Sequence, residues 1–132
     1  LSIRRQRQMC IRDRIMNKKQ TVLLIALETI AINNKDGFTV NATTLQPITE
    51  GYAVAVAATQ NSFGRKGLEN VIKYVNKHSE INAFGGWYNS KNKMFYYDAT
   101  MIVDDLKTAI EIGRANKQIA IFDLKNGLPI DL

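Results

Sequence analysis

From Tyr52 onward the chain switches repeatedly between a two-residue and a helical periodicity, and the order of those switches limits the folds open to it. Tyr52 to Ala58 is apolar on both parities, which predicts a central strand covered on both faces. Thr59-Gln60-Asn61-Ser62-Phe63-Gly64 is a polar loop. Ser62 is placed to cap a helix over 65–78, with Leu68, Val71, Ile72 and Val75 as its buried stripe. A strand over 83–89, softened by Gly85-Gly86, turns through Ser90-Lys91-Asn92-Lys93 into a strand over 94–103. Asp104 caps a helix over 105–116 that turns Leu106, Ala109, Ile110 and Gly113 inward. A strand over 118–124, a tight turn at Lys125-Asn126-Gly127 and a short return over 128–131 complete the chain. Strand–helix–strand–strand–helix–strand is the ferredoxin-like β-α-β-β-α-β order, so the expectation is an α+β fold. It would have a four-stranded antiparallel sheet and both helices on one face. Val54, Val56, Ile72, Tyr97, Ile110, Ile119 and Ile121 are the expected core.

Upstream, residues 17–33 read as an additional N-terminal helix with Leu23, Leu27, Ile30 and Ala31 at helical spacing. Asn33-Asn34-Lys35-Asp36-Gly37 ends it, a short strand over 38–40 follows, and residues 42–49, with Pro47, form an irregular connection. The longest apolar run, Val22 to Leu27, falls far short of the roughly 20 residues that span a bilayer, so no membrane association is expected. The expected organisation is a tail over 1–15, a helix and connection over 16–50, and an α+β domain over 51–132.

The tail stands apart. Arg4-Arg5-Gln6-Arg7-Gln8-Met9-Cys10-Ile11-Arg12-Asp13-Arg14 resembles the translation of the oligonucleotide joined to DNA fragments in transposase-based library preparation. The resemblance implies that residues 1–14 are not native and that Met16 is an ordinary start. The charge argument changes accordingly. The whole chain carries 18 basic and 12 acidic residues, a net charge of +6. Five of those basic residues and one of the acids fall in residues 1–15, leaving 13 against 11 over the other 117. A net charge of +2 is a weak argument for a nucleic-acid partner. Cys10 is the only cysteine. Without it there is no disulfide framework, thiolate metal site or cysteine nucleophile, which fits a cytoplasmic setting.

The central hairpin carries the most unusual side chains. If Asn89 pairs with Met94, Trp87 opposes Tyr96 and Gly85 opposes Asp98. Alternation then puts Tyr88, Phe95, Tyr97, Ala99, Met101 and Val103 on the core face. Trp87, Met94, Tyr96, Asp98, Thr100 and Ile102 fall on the other. Trp87, Tyr96, Asp98 and Met94 are therefore a candidate contact face, expected to be covered by the N-terminal helix or a second subunit. Its rival use is base stacking, although the motif that RNA-recognition modules carry on this strand is missing. Asp98 could serve as a base inside the aromatic patch; the simpler readings are a solvated strand residue or one bonded to the Gly85 backbone.

A second candidate is the loop ahead of the helix at 65. Backbone amides near Gln60, Asn61 and Ser62, with Arg65 and Lys66 beside them, have the makings of an anion site, though no phosphate-loop or dinucleotide motif is present. A polar capping turn is the simpler reading. His78, the only histidine, closes a helix and lacks the partners of a typical zinc site. No metal and no cofactor are expected, and no nucleophile motif or paired-carboxylate spacing stands out.

From Gly51 onward the chain resembles small uncharacterised proteins of phages and mobile elements of gut-type bacteria. The residues that carry the resemblance are Thr59–Gly64, Gly85-Gly86-Trp87-Tyr88, Tyr96-Tyr97-Asp98 and Gln118–Leu124. It implies an origin and no mechanism. The expected function is that of a non-enzymatic accessory or interaction protein with a protein partner or self-association. A nucleic-acid-associated domain using the Trp87/Tyr96 face comes next, and a small hydrolase or transferase third.

Overall fold

The computed structural model describes residues 16–132. The adaptor-like segment, residues 1–14, lies outside the described residues. The fold is α+β, with three α-helices and seven strands among the described residues. In chain order these are α1 (Lys18–Asn33), β1 (Phe38–Asn41), β2 (Tyr52–Ala55), β3 (Ser62–Phe63), α2 (Gly64–Lys77), β4 (Ala83–Asn89), β5 (Met94–Val103), α3 (Leu106–Ala115), β6 (Ala120–Asp123) and β7 (Leu128–Asp131). One open sheet has the strand order β1-β4-β5-β2-β6-β7, with β3 added to β5. Every pairing is antiparallel.

The long hairpin β4–β5 pairs Asn89 with Met94, Trp87 with Tyr96 and Gly85 with Asp98, the register read from the sequence. That register fixes which side chains share a face. Tyr97, Ala99 and Phe84 are buried under the helices. They form one apolar cluster with Leu68, Val71 and Ile72 of α2 and Leu24, Leu27 and Ala31 of α1. A smaller cluster of Val54, Ala109 and Ile121 sits beneath α3. Fully burying a side chain of this size is worth about 1.5–3 kcal/mol.

β5 has more backbone to satisfy than its neighbours supply. β2 and β3 pair with it in succession and leave a gap between them. A short 3-10 turn at Ala57–Thr59 fills the gap. The buried Thr59 hydroxyl accepts from the Ala99 N–H at 3.0 Å and donates to the Val56 carbonyl at 3.4 Å. A buried N–H without a strand partner is thereby met by a side chain. At the outer edge, Ile48 N–H donates to the Thr39 carbonyl and Asn41 N–H to that of Gln46, so the Pro47 connection lies alongside β1.

Several expectations need correction. The strand at Tyr52 stops at Ala55, and only its Val54 side is covered by a helix; Ala53 and Ala55 face away from the helices. Ser62 does not cap α2, because it is drawn into β3, and the N-cap position passes to Phe63, which makes no side-chain cap. The cap of α3 is Asp105, which accepts from Thr108 N–H at 2.9 Å, and not Asp104. Leu106, in the first turn of α3, is exposed. Ile119 is 88 % exposed, because β6 begins one residue later and only its carbonyl is tied in, by Leu132 N–H.

The N-terminal helix does not cover the Trp87 face. It packs against α2, on the opposite side of the sheet. A capping box holds its start: Asn17 accepts from Gln20 N–H at 2.8 Å, and Gln20 accepts from Asn17 N–H at 3.2 Å. Arg65 of α2 pairs in bidentate fashion with Glu28 of α1, the shorter contact being 2.7 Å.

Candidate functional site

The face of the sheet away from the helices carries no helix among the described residues, and its side chains change in size across the strands. At one end stand aromatic rings from three adjacent strands. Trp87 of β4 stacks on Tyr96 of β5, with centroids 4.9 Å apart and planes 19° apart, and Phe63 of β3 lies 5.4 Å beyond Tyr96. Trp87 and Phe63 are each 47 % exposed. Tyr96 is held further by Asn92, whose amide donates to the phenol oxygen at 2.7 Å. Met94 is half-buried beside this group, its methyl 3.1 Å from where a Cβ on Gly64 would stand.

Toward the middle of the face the side chains shrink to Ala53, Ala55, Ala83 and Gly85. The result is a groove that continues round the β1 edge to Ile30 of α1 and its C-cap Asn34, about 740 Å³ in all, within the range of small-molecule sites. Its floor is formed by Ala53, Ala55, Gly85, Asp98 and Thr100. Pro47 and Ile48, from the connection beside β1, border it at one edge of the sheet. Phe122 and Pro129, on β6 and β7, border it at the other, and Trp87 reaches it from the aromatic end.

Asp98 is the one ionisable group on that floor. Thr100, two residues along the same strand face, donates its hydroxyl to Asp98 Oδ1. Asp98 Oδ2 has no hydrogen-bond partner among the described residues, and it is not sealed from solvent. Burial pushes the carboxyl above the ordinary carboxylate range, and the Thr100 hydroxyl works in the opposite direction.

Consecutive glycines make this arrangement possible, one for each face of the sheet. A Cβ on Gly85 would lie 2.6 Å from Asp98 Oδ1 and 3.0 Å from Thr100 Oγ1. A Cβ on Gly86 would lie 2.5 Å from a Phe38 ring carbon and 2.7 Å from one of Phe95, whose rings stack at 5.8 Å in the core. A glycine inside a strand often marks such a close approach.

The structure brings Trp87, Tyr96 and Met94 together at one end of the face, with Asp98 toward its middle. It separates the second candidate set. Gln60, Asn61 and Ser62 line a cavity of about 510 Å³ with Lys66, Asn70 and Tyr74, while Arg65 is outside that lining and engaged by Glu28. His78 is not among the residues that line the groove. Its ring stacks on Tyr74 at 3.9 Å and its Nδ1 lies 2.8 Å from the Tyr74 carbonyl oxygen. Among the described residues no group of three or more His, Cys, Asp or Glu side chains is placed to hold a metal, and no helix is long and apolar enough to cross a membrane.

Alternation along β5 is enough to put Asp98 and Thr100 on this face, but not the alanine part of the groove's floor. Its signal was the run Tyr52-Ala53-Val54-Ala55-Val56, in which one parity is large and the other only alanine. An all-alanine parity on β2, with Gly85 on the far side of β5, leaves space that no helix of this fold fills. Comparison with protein-family profiles, curated proteins and solved structures found no match.

Proposed function

We propose that the chain is a non-enzymatic accessory or interaction protein and that it binds its partner through the open face of the sheet. The observation that carries this reading is the groove: a formed concavity with apolar walls and a floor of small residues around one carboxyl. Sites that bind small groups combine apolar walls with a few polar groups in this way. Asp98 carries the Thr100 hydroxyl and has no second side chain hydrogen-bonded to it among the described residues, so it presents a free acceptor to a bound group. We read the central strands, in the order β4-β5-β2-β6 with α2 and α3, as a ferredoxin-like unit extended by β1 and β7 at its edges. The resemblance to small phage and mobile-element proteins and the cysteine-free sequence after Cys10 support a bacterial or phage-infected cytoplasm as the setting.

The test is a fragment screen read by amide chemical shifts on the full-length chain. Ligands are expected to move the amides of Ala53, Ala55 and Gly85 together. Hits that cluster elsewhere, or none at all, would overturn the proposal.

A nucleic-acid role is the second reading, favoured by the exposed Trp87 and Phe63 rings. Two observations weigh against it. One face of Trp87 is already occupied by Tyr96. The groove lining contains Asp36 and Asp98 and no Lys, Arg or His, whereas phosphate binding draws on basic side chains.

A further inference from the structure

The charge of the groove is opposite to that of the chain. Over residues 16–132 basic side chains outnumber acidic ones, 13 to 11. Of the groove's lining residues none is basic, and the two charged ones, Asp36 and Asp98, are both acidic. The lone carboxyl on the floor is held on one side only. Asp98 Oδ1 takes the Thr100 hydroxyl, and Oδ2 is left for a donor from outside. Gly85 keeps space clear for that carboxyl, since any Cβ there would press on Oδ1. Around it the surface is apolar, through Ala53, Ala55, Ile48 and Phe122, and the Trp87 ring at the end is half exposed.

We propose that the groove binds a small organic cation, an apolar amine whose ammonium group sits on Asp98 Oδ2 while its hydrocarbon body lies against Ala53, Ala55 and Phe122. The inference rests on the open face being the binding face and adds the ligand class. A half-buried carboxylate short of hydrogen bonds favours a charged donor, because charge-assisted hydrogen bonds are about twice as strong as neutral ones. The groove also lacks any basic side chain of its own to neutralise the carboxylate. Burial already holds the Asp98 carboxyl above its ordinary range, and a cation placed on it supplies the stabilisation that lost solvent had provided. Trp87 offers an aromatic face to cationic ligands at the rim. Anionic ligands meet the reverse: two carboxylates and no cation.

The experiment compares three isosteres at one pH: 2-phenylethylamine, 2-phenylethanol and phenylacetate. Each is titrated into the full-length chain with the Ala53, Ala55 and Gly85 amide shifts and Trp87 emission as readouts. The amine is expected to bind at least about ten-fold tighter than the alcohol, and phenylacetate least of all. In Asp98→Asn the amine is expected to fall to the level of the alcohol, and lowering the pH should weaken the amine in the wild-type chain alone. Equal binding of amine and alcohol at those amides would overturn the ligand class and leave the binding face standing. Amine binding unchanged in Asp98→Asn would do the same. No shift at those amides with any of the three would overturn the ligand class; if the fragment screen also left them unmoved, the binding face would fall with it.

Discussion

Gly85 and Asp98 stand opposite one another in β4 and β5, and the Asp98 carboxyl reaches to 2.6 Å from the point where a Cβ on Gly85 would be. The pair is a lock between a residue with no side chain and one that needs the space. Gly85→Ala should force the carboxyl off Thr100 or bend the strand, an overpacking cost of about 1–3 kcal/mol. Denaturant unfolding measures it. An alanine variant as stable as the wild type would mean that the carboxyl moves aside freely.

Asp98 itself should be a cost to the fold. Its pKa is raised in the folded state, so the folded chain holds a proton that the unfolded chain has lost over the window between the two values. Stability therefore falls as pH rises from about 4, the ordinary Asp value, through the raised one. Asp98→Asn removes that loss. The variant and the wild type should melt alike in mild acid, and the variant should melt higher at neutral pH. A variant that melts lower at neutral pH would show that the charged carboxylate is stabilised in place.

Two isoleucines of the same parity, 119 and 121, separate the strand from its approach. Ile121 is 3 % exposed beneath α3, where Gly113 comes close enough that a Cβ would lie 2.9 Å from its side chain. Ile121→Ala should cost about 2–5 kcal/mol. Ile119→Ala should stay within about 0.5 kcal/mol of wild type, as exposed positions do. Equal effects at the two sites would place the start of β6 wrongly.

Trp87, the only tryptophan, should report a half-exposed ring, since α1 lies on the far side of the sheet. Its emission is expected to be solvent-shifted, quenched by acrylamide and independent of protein concentration. A blue-shifted, protected emission that reverts on dilution would mean that a second copy covers the face.

The sequence by itself determined the helices, the longer strands and the hairpin register, because periodicity and turn chemistry are local; the two-residue β3 carries no such periodicity. The alternation through Met94–Val103 sorted Tyr97 and Ala99 into the core and Trp87, Tyr96 and Asp98 onto the other face before any tertiary contact was known. The tertiary structure alone decided what those faces meet. Nothing in the helical spacing of residues 17–33 says on which side of the sheet the helix packs, and that choice left the Trp87 face without a cover. Nor does the composition of a Gly-Gly pair say that one glycine serves the core and the next the groove. That depends on which rings and which carboxyl the neighbouring strands bring to the two faces, a matter of distances across the sheet that spacing along the chain does not encode.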